Sequence, residues 1–306
     1  MNIPYTNIDQ IYVNGAWVSP EGGTEAVINP ATEEVIGHAP VASLPQVDAA
    51  IAAAREAFDS GPWSTMTMDQ RADYMDEMVV ALQTRQADIA ALIVAEVGCA
   101  QGITHMMQVA NPINHLISTI KYARRDEPER LPIDINPNMF APDGPQNIGG
   151  TTVVREPFGV VSAITGYNFP FLLNLAKIGP ALMAGCTMIL KPSQFTPYSA
   201  LLFGEICEEI GLPNGVLNIV TGGIARAQAG GQQPGDQAIV VAADTADLQV
   251  AAVGGLDHPA RETLGGLGHR IGLIGQQQTA RQLDPANPAV SGTDDAPQPR
   301  AGRGAR

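Results

Sequence analysis

Apolar and polar residues alternate through Tyr12-Val-Asn-Gly-Ala-Trp17 on either side of an Asn-Gly pair. That pattern predicts a two-residue β-hairpin. Ile28 to Ile36 repeats the theme, with two extended segments around Asn-Pro-Ala-Thr. The period then changes. Between Leu44 and Phe58, Val47, Ile51, Ala54 and Phe58 recur at helical spacing. Asp69 to Glu96 predicts two further helices, the first with Met75, Met78, Val79 and Leu82 on one face, the second carrying Ile89, Leu92 and Ile93, and Gly98 is placed to stop them. Another helix runs from Ile103 to Tyr122, kinked or split at Pro112. Arg130 to Gly150 is rich in Pro, Asn, Asp and Gly and reads as an irregular excursion.

A second regime follows. Val160–Thr165, Cys186–Leu190 and Val216–Val220 are continuous apolar runs, separated by amphipathic stretches at Pro170–Ala184 and Pro197–Ile210. Buried strands alternating with helices predict an α/β fold with a parallel sheet built from right-handed βαβ units. Beyond Gly223 the character changes again. Residues 224–306 contain no aromatic residue, Lys, Met or Cys, and are rich in Gly, Ala, Gln, Asp and Arg. Ala238–Ala243 and Leu248–Val253 are short enough to form isolated elements at most. Small side chains bury little area against a backbone entropy cost of about 1–2 kcal/mol per residue, so most of this tail is expected to be poorly ordered.

Composition narrows the function classes. The net charge is −14 and Lys and Arg do not cluster, which argues against nucleic-acid binding. No secretion-signal pattern and no membrane-length apolar run occurs, so a cytoplasmic protein without membrane contact is expected. Three cysteines, Cys99, Cys186 and Cys207, lack metal or redox spacing, as do the five histidines, and no metal is expected. The odd Cys count fits a reducing compartment.

Three positions stand out for chemistry. Asn168 follows the first strand of the alternating region, where ligands of such sheets collect; it is either a polar donor there or an N-cap turning strand into helix. Lys191, one of only three lysines, ends the second strand, and Pro192 stops that strand so that the side chain points into the crevice. Gly222 and Gly223 end the third, where a Gly pair serves a close approach to ligand or simply a sharp turn.

Gly159-Val-Val-Ser-Ala-Ile-Thr-Gly-Tyr-Asn-Phe-Pro170, Ala184-Gly-Cys-Thr-Met-Ile-Leu-Lys-Pro-Ser193 and Gly211-Leu-Pro-Asn-Gly-Val-Leu-Asn-Ile-Val220 together resemble the aldehyde dehydrogenase family. The resemblance covers Tyr12 to Gly223. It implies a partial Rossmann-type parallel sheet preceded by helices and incomplete at its C-terminal side, NAD or NADP as cofactor, and oxidation of an aldehyde to a carboxylic acid. It gives Asn168 the role of donating its side-chain N–H to the oxyanion, and Lys191 that of donating to the adenosine ribose hydroxyls. Ser193 and Gln194 join that clamp. Ile164 and Thr165 offer backbone groups to the cofactor, and Gly222 and Gly223 begin the loop under the diphosphate. Phe169, Leu173 and Ala176, on one helix face, match the substrate tunnel, although core packing explains Leu173 equally well. Homo-oligomers are usual in the family, with Arg130–Gly150 near a subunit-contact hairpin.

The chain departs from the pattern in places. Gly166-Tyr167 stands where the family more often has Pro-Trp, and Ala176 where a large aromatic is frequent, which widens the tunnel. NAD-preferring relatives commonly carry Glu at position 194. The neutral Gln194 leaves NAD versus NADP open, unless it points into solvent and a loop sets the preference. No Phe-Thr-Gly-Ser or Glu-Leu-Gly-Gly segment occurs, and no cysteine is placed as a nucleophile. Two domains are therefore expected: 1–223, the helical segment with a partial NAD(P)-binding domain, and 224–306, the tail. The tail's Gly/Ala/Arg/Pro/Gln mixture resembles GC-rich coding sequence read out of frame, with a genuine low-complexity tail as the alternative. Aldehyde oxidation by this chain is thus in question, the alternative being a non-catalytic remnant that binds cofactor or an interaction partner.

Overall fold

In chain order, the first elements are two hairpins. β1 (Ile11–Val13) and β2 (Ala16–Val18) turn through Asn14 and Gly15, whose φ angles of 54° and 75° give the left-handed turn that Asn-Gly favours. β3 (Thr24–Ile28) pairs with β4 (Val35–Pro40). The computed structural model describes residues 6–125, 128–136, 147–223, 238–243 and 250–253.

Helices α1 (Leu44–Asp59) and α2 (Met68–Thr84) each begin with a reciprocal capping box, Ser43 with Gln46 and Thr67 with Gln70. Each box satisfies two backbone donors that a helix start otherwise leaves open. α3 (Gln86–Val97) stops at Gly98, whose φ of 69° is the left-handed cap expected from the sequence. Next come a single turn, α4 (Gln101–Ile103), a π-helical segment (Thr104–Ala110) and α5 (Asn111–Ala123). Helical backbone runs unbroken from Gln101 to Ala123, so Pro112 does not split the expected helix; the change just before it is the π-helical segment, whose end is marked by the Asn111 N–H bonding the Met106 carbonyl. No single helix among the described residues is long and apolar enough to cross a membrane.

The stretch read as irregular is instead a two-stranded antiparallel ribbon. β5 (Glu129–Arg130) pairs with β8 (Thr152–Val153), β6 (Asp134–Asn136) pairs with β7 (Asn147–Gly149), and the Leu131 N–H bonds the Thr151 carbonyl between them. Leu131, Ile133 and Ile135 alternate along it, a strand signal obscured by the surrounding Pro and Gly. All three are exposed, as are Ile148 and Val153.

The alternating region folds as expected. β9 (Val160–Thr165), α6 (Pro170–Met183), β10 (Thr187–Lys191), α7 (Tyr198–Glu209) and β11 (Leu217–Ile219) follow in order. They are joined by β12 (Ala238–Ala243) and β13 (Val250–Val253). The sheet order is β13-β12-β9-β10-β11-β1-β2. β12, β9, β10 and β11 run parallel, and antiparallel strands flank them on both sides. The sheet is thus mixed rather than purely parallel. The 238–243 and 250–253 stretches are strands of the main sheet, not isolated elements, because the open edge of β9 provides a six-residue template for β12. The remainder of the expected tail, 224–237, 244–249 and 254–306, lies outside the described residues.

Strands β9 and β10 are buried on both faces. Val160 and Ile189 pack with Val47, Ile51 and Ala54 of α1 on one side. On the other, Val161, Met188 and Leu190 meet a larger core that includes Phe171, Ile178, Phe203, Met75 and Leu92. Two-sided coverage explains why these strands read as continuous apolar runs.

Candidate functional site

The order of the parallel strands locates the site. From β9 the chain builds outward to β10 and β11, then returns to the opposite side of β9 with β12. Between β9 and β12 the connections diverge, opening a crevice at the carboxyl ends of the strands. The residues singled out in the sequence gather at this end. Lys191 is directly paired with Ile164, and Ile164 in turn with Ala242, so three strand ends lie in one row; Thr165 pairs with Ala243.

The end of β9 is fixed to the helix that follows. The Thr165 hydroxyl donates to Asn174 Oδ1 at 2.6 Å, both residues being buried. This bond spans the loop Gly166-Tyr167-Asn168-Phe169. Asn168 is half-buried on that loop. Phe169 is the N-cap of α6, and no side chain caps it. Asn168 is therefore not the N-cap of α6. Pro170 occupies the first turn of α6, where proline is pre-organised for the helix.

Lys191 is 8% exposed, and its ammonium makes no hydrogen bond or ion pair with any described residue. Burial lowers its pKa, while the nearby Glu25 carboxylate acts in the opposite direction. Ser193 opens the following turn, its hydroxyl accepting the Phe195 N–H at 3.2 Å. Gln194 folds back toward β11: a Cβ placed on Gly223 would lie 2.8 Å from Gln194 Oε1 and 4.0 Å from Glu25 Oε1. Gly222 has a φ of 137°, which restricts that position to glycine. Gln194 Oε1 and Glu25 Oε1 thus flank the Gly223 position, and Lys191, with its three N–H donors uncommitted, lies within electrostatic reach of the Glu25 carboxylate. A vicinal diol, which both donates and accepts, suits such a set.

Phe169, Leu173 and Ala176 lie on the side of α6 away from its buried residues. Phe169 and Leu173 are half-buried and Ala176 is exposed. Lys177, beside them, is half-buried, and its pKa is lowered by desolvation. Cys186 and Cys207 are buried, and burial drives the Cys207 thiol well above its ordinary range, so it stays protonated. Cys99 is half-exposed. No group of three or more potential metal ligands occurs among the described residues.

Two participants escaped the sequence reading. Glu25 arrives from β3, far away along the chain, and only the tertiary fold brings it to Gly223. Phe195 stands edge-on to Tyr167, with ring centroids 6.1 Å apart, linking the loops after β9 and β10. Its aromatic ring directly after Gln194 was the available signal.

Comparison with known proteins identifies the family. The family model described as the aldehyde dehydrogenase family matches residues 17–246, running past Gly223 through β12. A 3-succinoylsemialdehyde-pyridine dehydrogenase from a Pseudomonas species is 37% identical over 220 residues, covering 70% of this chain and 41% of the relative. Glutarate-semialdehyde dehydrogenase of Pseudomonas aeruginosa is 36% identical, over 73% of this chain and 43% of that protein. Among solved structures, aldehyde dehydrogenase C of Pseudomonas syringae, a mutant complexed with NAD+ and octanal, is 32% identical with a TM-score of 0.62, over 72% of this chain and 42% of that one. A betaine aldehyde dehydrogenase point mutant from Staphylococcus aureus, in complex with NAD+, gives a TM-score of 0.66 at 28% identity, over 73% and 43% of the two chains. The chain spans roughly two-fifths of the length of the relatives it matches.

Proposed function

Because the chain belongs to the aldehyde dehydrogenase family, we propose that it holds the adenosine side of NAD or NADP and presents an oxyanion donor, without completing aldehyde oxidation by itself. One observation carries this reading. Lys191 is buried at the carboxyl end of β10, beside the strand-order reversal, with its donors uncommitted among the described residues. The residues fit a ribose. Lys191 donates to its hydroxyls, Gln194 and Ser193 complete the clamp, and Gly222 and Gly223 let the backbone come close. Ile164 and Thr165 contribute backbone groups at the end of β9. When bound, the nicotinamide group supplies the hydride acceptor.

Asn168 provides a neutral N–H donor for an oxygen that gains negative charge as an aldehyde carbonyl is attacked. Phe169, Leu173 and Ala176 border the path of the aldehyde, and the small Ala176 leaves that path wide. No cysteine is placed as the nucleophile: Cys207 is held neutral by burial, Cys186 is enclosed, and Cys99 follows the Gly98 cap of α3 rather than a strand end of the sheet. The 306 residues also lack the general-base segment of the family. Cofactor binding without turnover follows. The exposed β5–β8 ribbon suits the subunit contact that the family resemblance assigns to that stretch. The three free cysteines support placement in the reducing cytoplasm.

Two measurements on the same preparation test the reading. NADH fluorescence reports binding, and absorbance of NAD(P)H formed from aliphatic and aromatic aldehydes reports turnover. Binding without turnover is expected. Turnover above about 1 s⁻¹, within the ordinary enzyme range, favours the catalytic reading instead, and absence of binding removes the cofactor assignment.

A further inference from the structure

We propose that Glu25 sets the preference of this site for a free ribose 2′-hydroxyl over a 2′-phosphate, supplying from β3 the carboxylate that Gln194 does not carry. The proposal rests on the cofactor reading above and deepens it. The sequence alone leaves the preference open, since the neutral Gln194 lacks the charge that would repel a phosphate.

The geometry supplies a carboxylate from another strand. Gln194 Oε1 and Glu25 Oε1 lie 2.8 and 4.0 Å from a single point, the place a Cβ of Gly223 would occupy. The amide and the carboxylate therefore face the same small volume at the end of β11. Lys191 approaches it from β10, close enough to feel the Glu25 charge yet without an ion pair within 4 Å. A carboxylate in that position accepts hydrogen bonds from ribose hydroxyls. Toward a 2′-phosphate it sets like charges a few ångströms apart, and offsets the attraction of Lys191. Even with water between the charges this repulsion corresponds to about fivefold in affinity, and more where solvent is partly excluded.

Glu25 is placed to do this by backbone pairing. It sits opposite Ala39 on β4, and the chain just beyond β4 is bound to the strand-end segment after β11: the Ala42 N–H bonds the Thr221 carbonyl at 3.0 Å, and the Thr221 hydroxyl donates to the Pro40 carbonyl. The β3–β4 hairpin is thus tied to the residue immediately before Gly222, and Glu25 is held beside the site by backbone pairing.

Isothermal titration of the 306-residue chain with 5′-AMP and with adenosine 2′,5′-bisphosphate isolates the 2′-phosphate. The wild type is expected to bind 5′-AMP more tightly. Glu25→Gln should shift the ratio of the two affinities toward the bisphosphate by about fivefold or more. Glu33→Gln, the same charge change in the turn between β3 and β4, should leave the ratio within twofold. Circular dichroism of each variant verifies the fold, and Glu25→Asp, which keeps the charge, should retain most of the wild-type ratio. Binding of both ligands with a ratio unmoved by Glu25→Gln overturns the role of Glu25 and leaves the cofactor site standing. An equal shift from Glu33→Gln also overturns it, assigning the effect to net charge. Failure of the wild type to bind either ligand removes the cofactor site itself, and the proposal with it.

Discussion

The carboxylate of Glu96 accepts the backbone N–H of Tyr198 at 2.6 Å and that of Ser199 at 3.2 Å, so the last turn of α3 caps the first turn of α7. Glu96 is 3% exposed. Its position at a helix N-terminus favours the ionised form, yet burial dominates and pushes its pKa up to about 8, with the two N–H bonds and the Ser199 hydroxyl pulling it back.

A pH dependence follows from that pair. With a folded pKa near 8 and an ordinary value near 4.5, the native state holds more protons than the unfolded chain between these limits. Stability from Glu96 is complete below about pH 4.5 and is lost as pH rises through 8, with a slope of at most about 1.4 kcal/mol per pH unit. Urea midpoints at pH 5 to 8 should fall accordingly, and Glu96→Gln should flatten the trend. An unchanged slope in the variant would show that other groups set it.

Arg71 is a buried cation that serves as a cross-link. Its Nε donates to the Met183 carbonyl at 3.0 Å, at the end of α6, and its Nη1 to the Met66 carbonyl. Arg71→Met keeps much of the volume but strands both carbonyls, at about 1–3 kcal/mol for each buried acceptor left unpaired. A loss of about 2–4 kcal/mol in urea unfolding is expected. A change below about 0.5 kcal/mol would mean that water replaces the guanidinium.

Gly15→Ala should be costly for two reasons acting together. The residue has a φ of 75°, and a Cβ there would lie 2.1 Å from Asn214 Oδ1. The strain of a left-handed alanine is of order 1–2 kcal/mol before the clash is counted. Thermal unfolding should shift down by several degrees, whereas Gly211→Ala, also at positive φ but with no neighbour within 4 Å, should show the backbone component alone.

Thiol reactivity should follow burial. Under native conditions a disulfide reagent should label Cys99 first, with Cys186 and Cys207 reacting only on unfolding, because Cys99 is accessible while both others are buried and burial keeps the Cys207 thiol protonated. Native labelling of Cys207 ahead of Cys99 would contradict the packing of α7.

Much of this architecture is written locally. The Asn-Gly turn, the Gly98 cap and the strand–helix alternation from Val160 to Val220 each depend on neighbours within a few residues, and the observed bounds differ by about one residue. What escaped was non-local. Glu25 carries no periodicity that ties it to Gly223, and the apolar run at 238–243 does not say which strand edge it will join. The ribbon was hidden for a different reason. Leu131, Ile133 and Ile135 alternate correctly, but their strand is short and exposed, so the Pro and Gly around them outweighed the period. Nor did the sequence say that the cap of α6 is Phe169 rather than Asn168.

The N-terminal hairpin also sets a condition on timing. β1 pairs with β11, and the Asn14 N–H bonds a side-chain oxygen of Asn218, 204 positions later. A two-stranded hairpin alone is at best marginally stable in water. During synthesis it must wait, largely unpaired, until β11 has left the ribosome, while the intervening helices collapse without it. Closing so long a loop is entropically slow. Docking of the first strand made is therefore among the last steps of assembly, and until then the outer edge of β11 is open to pairing with another nascent chain.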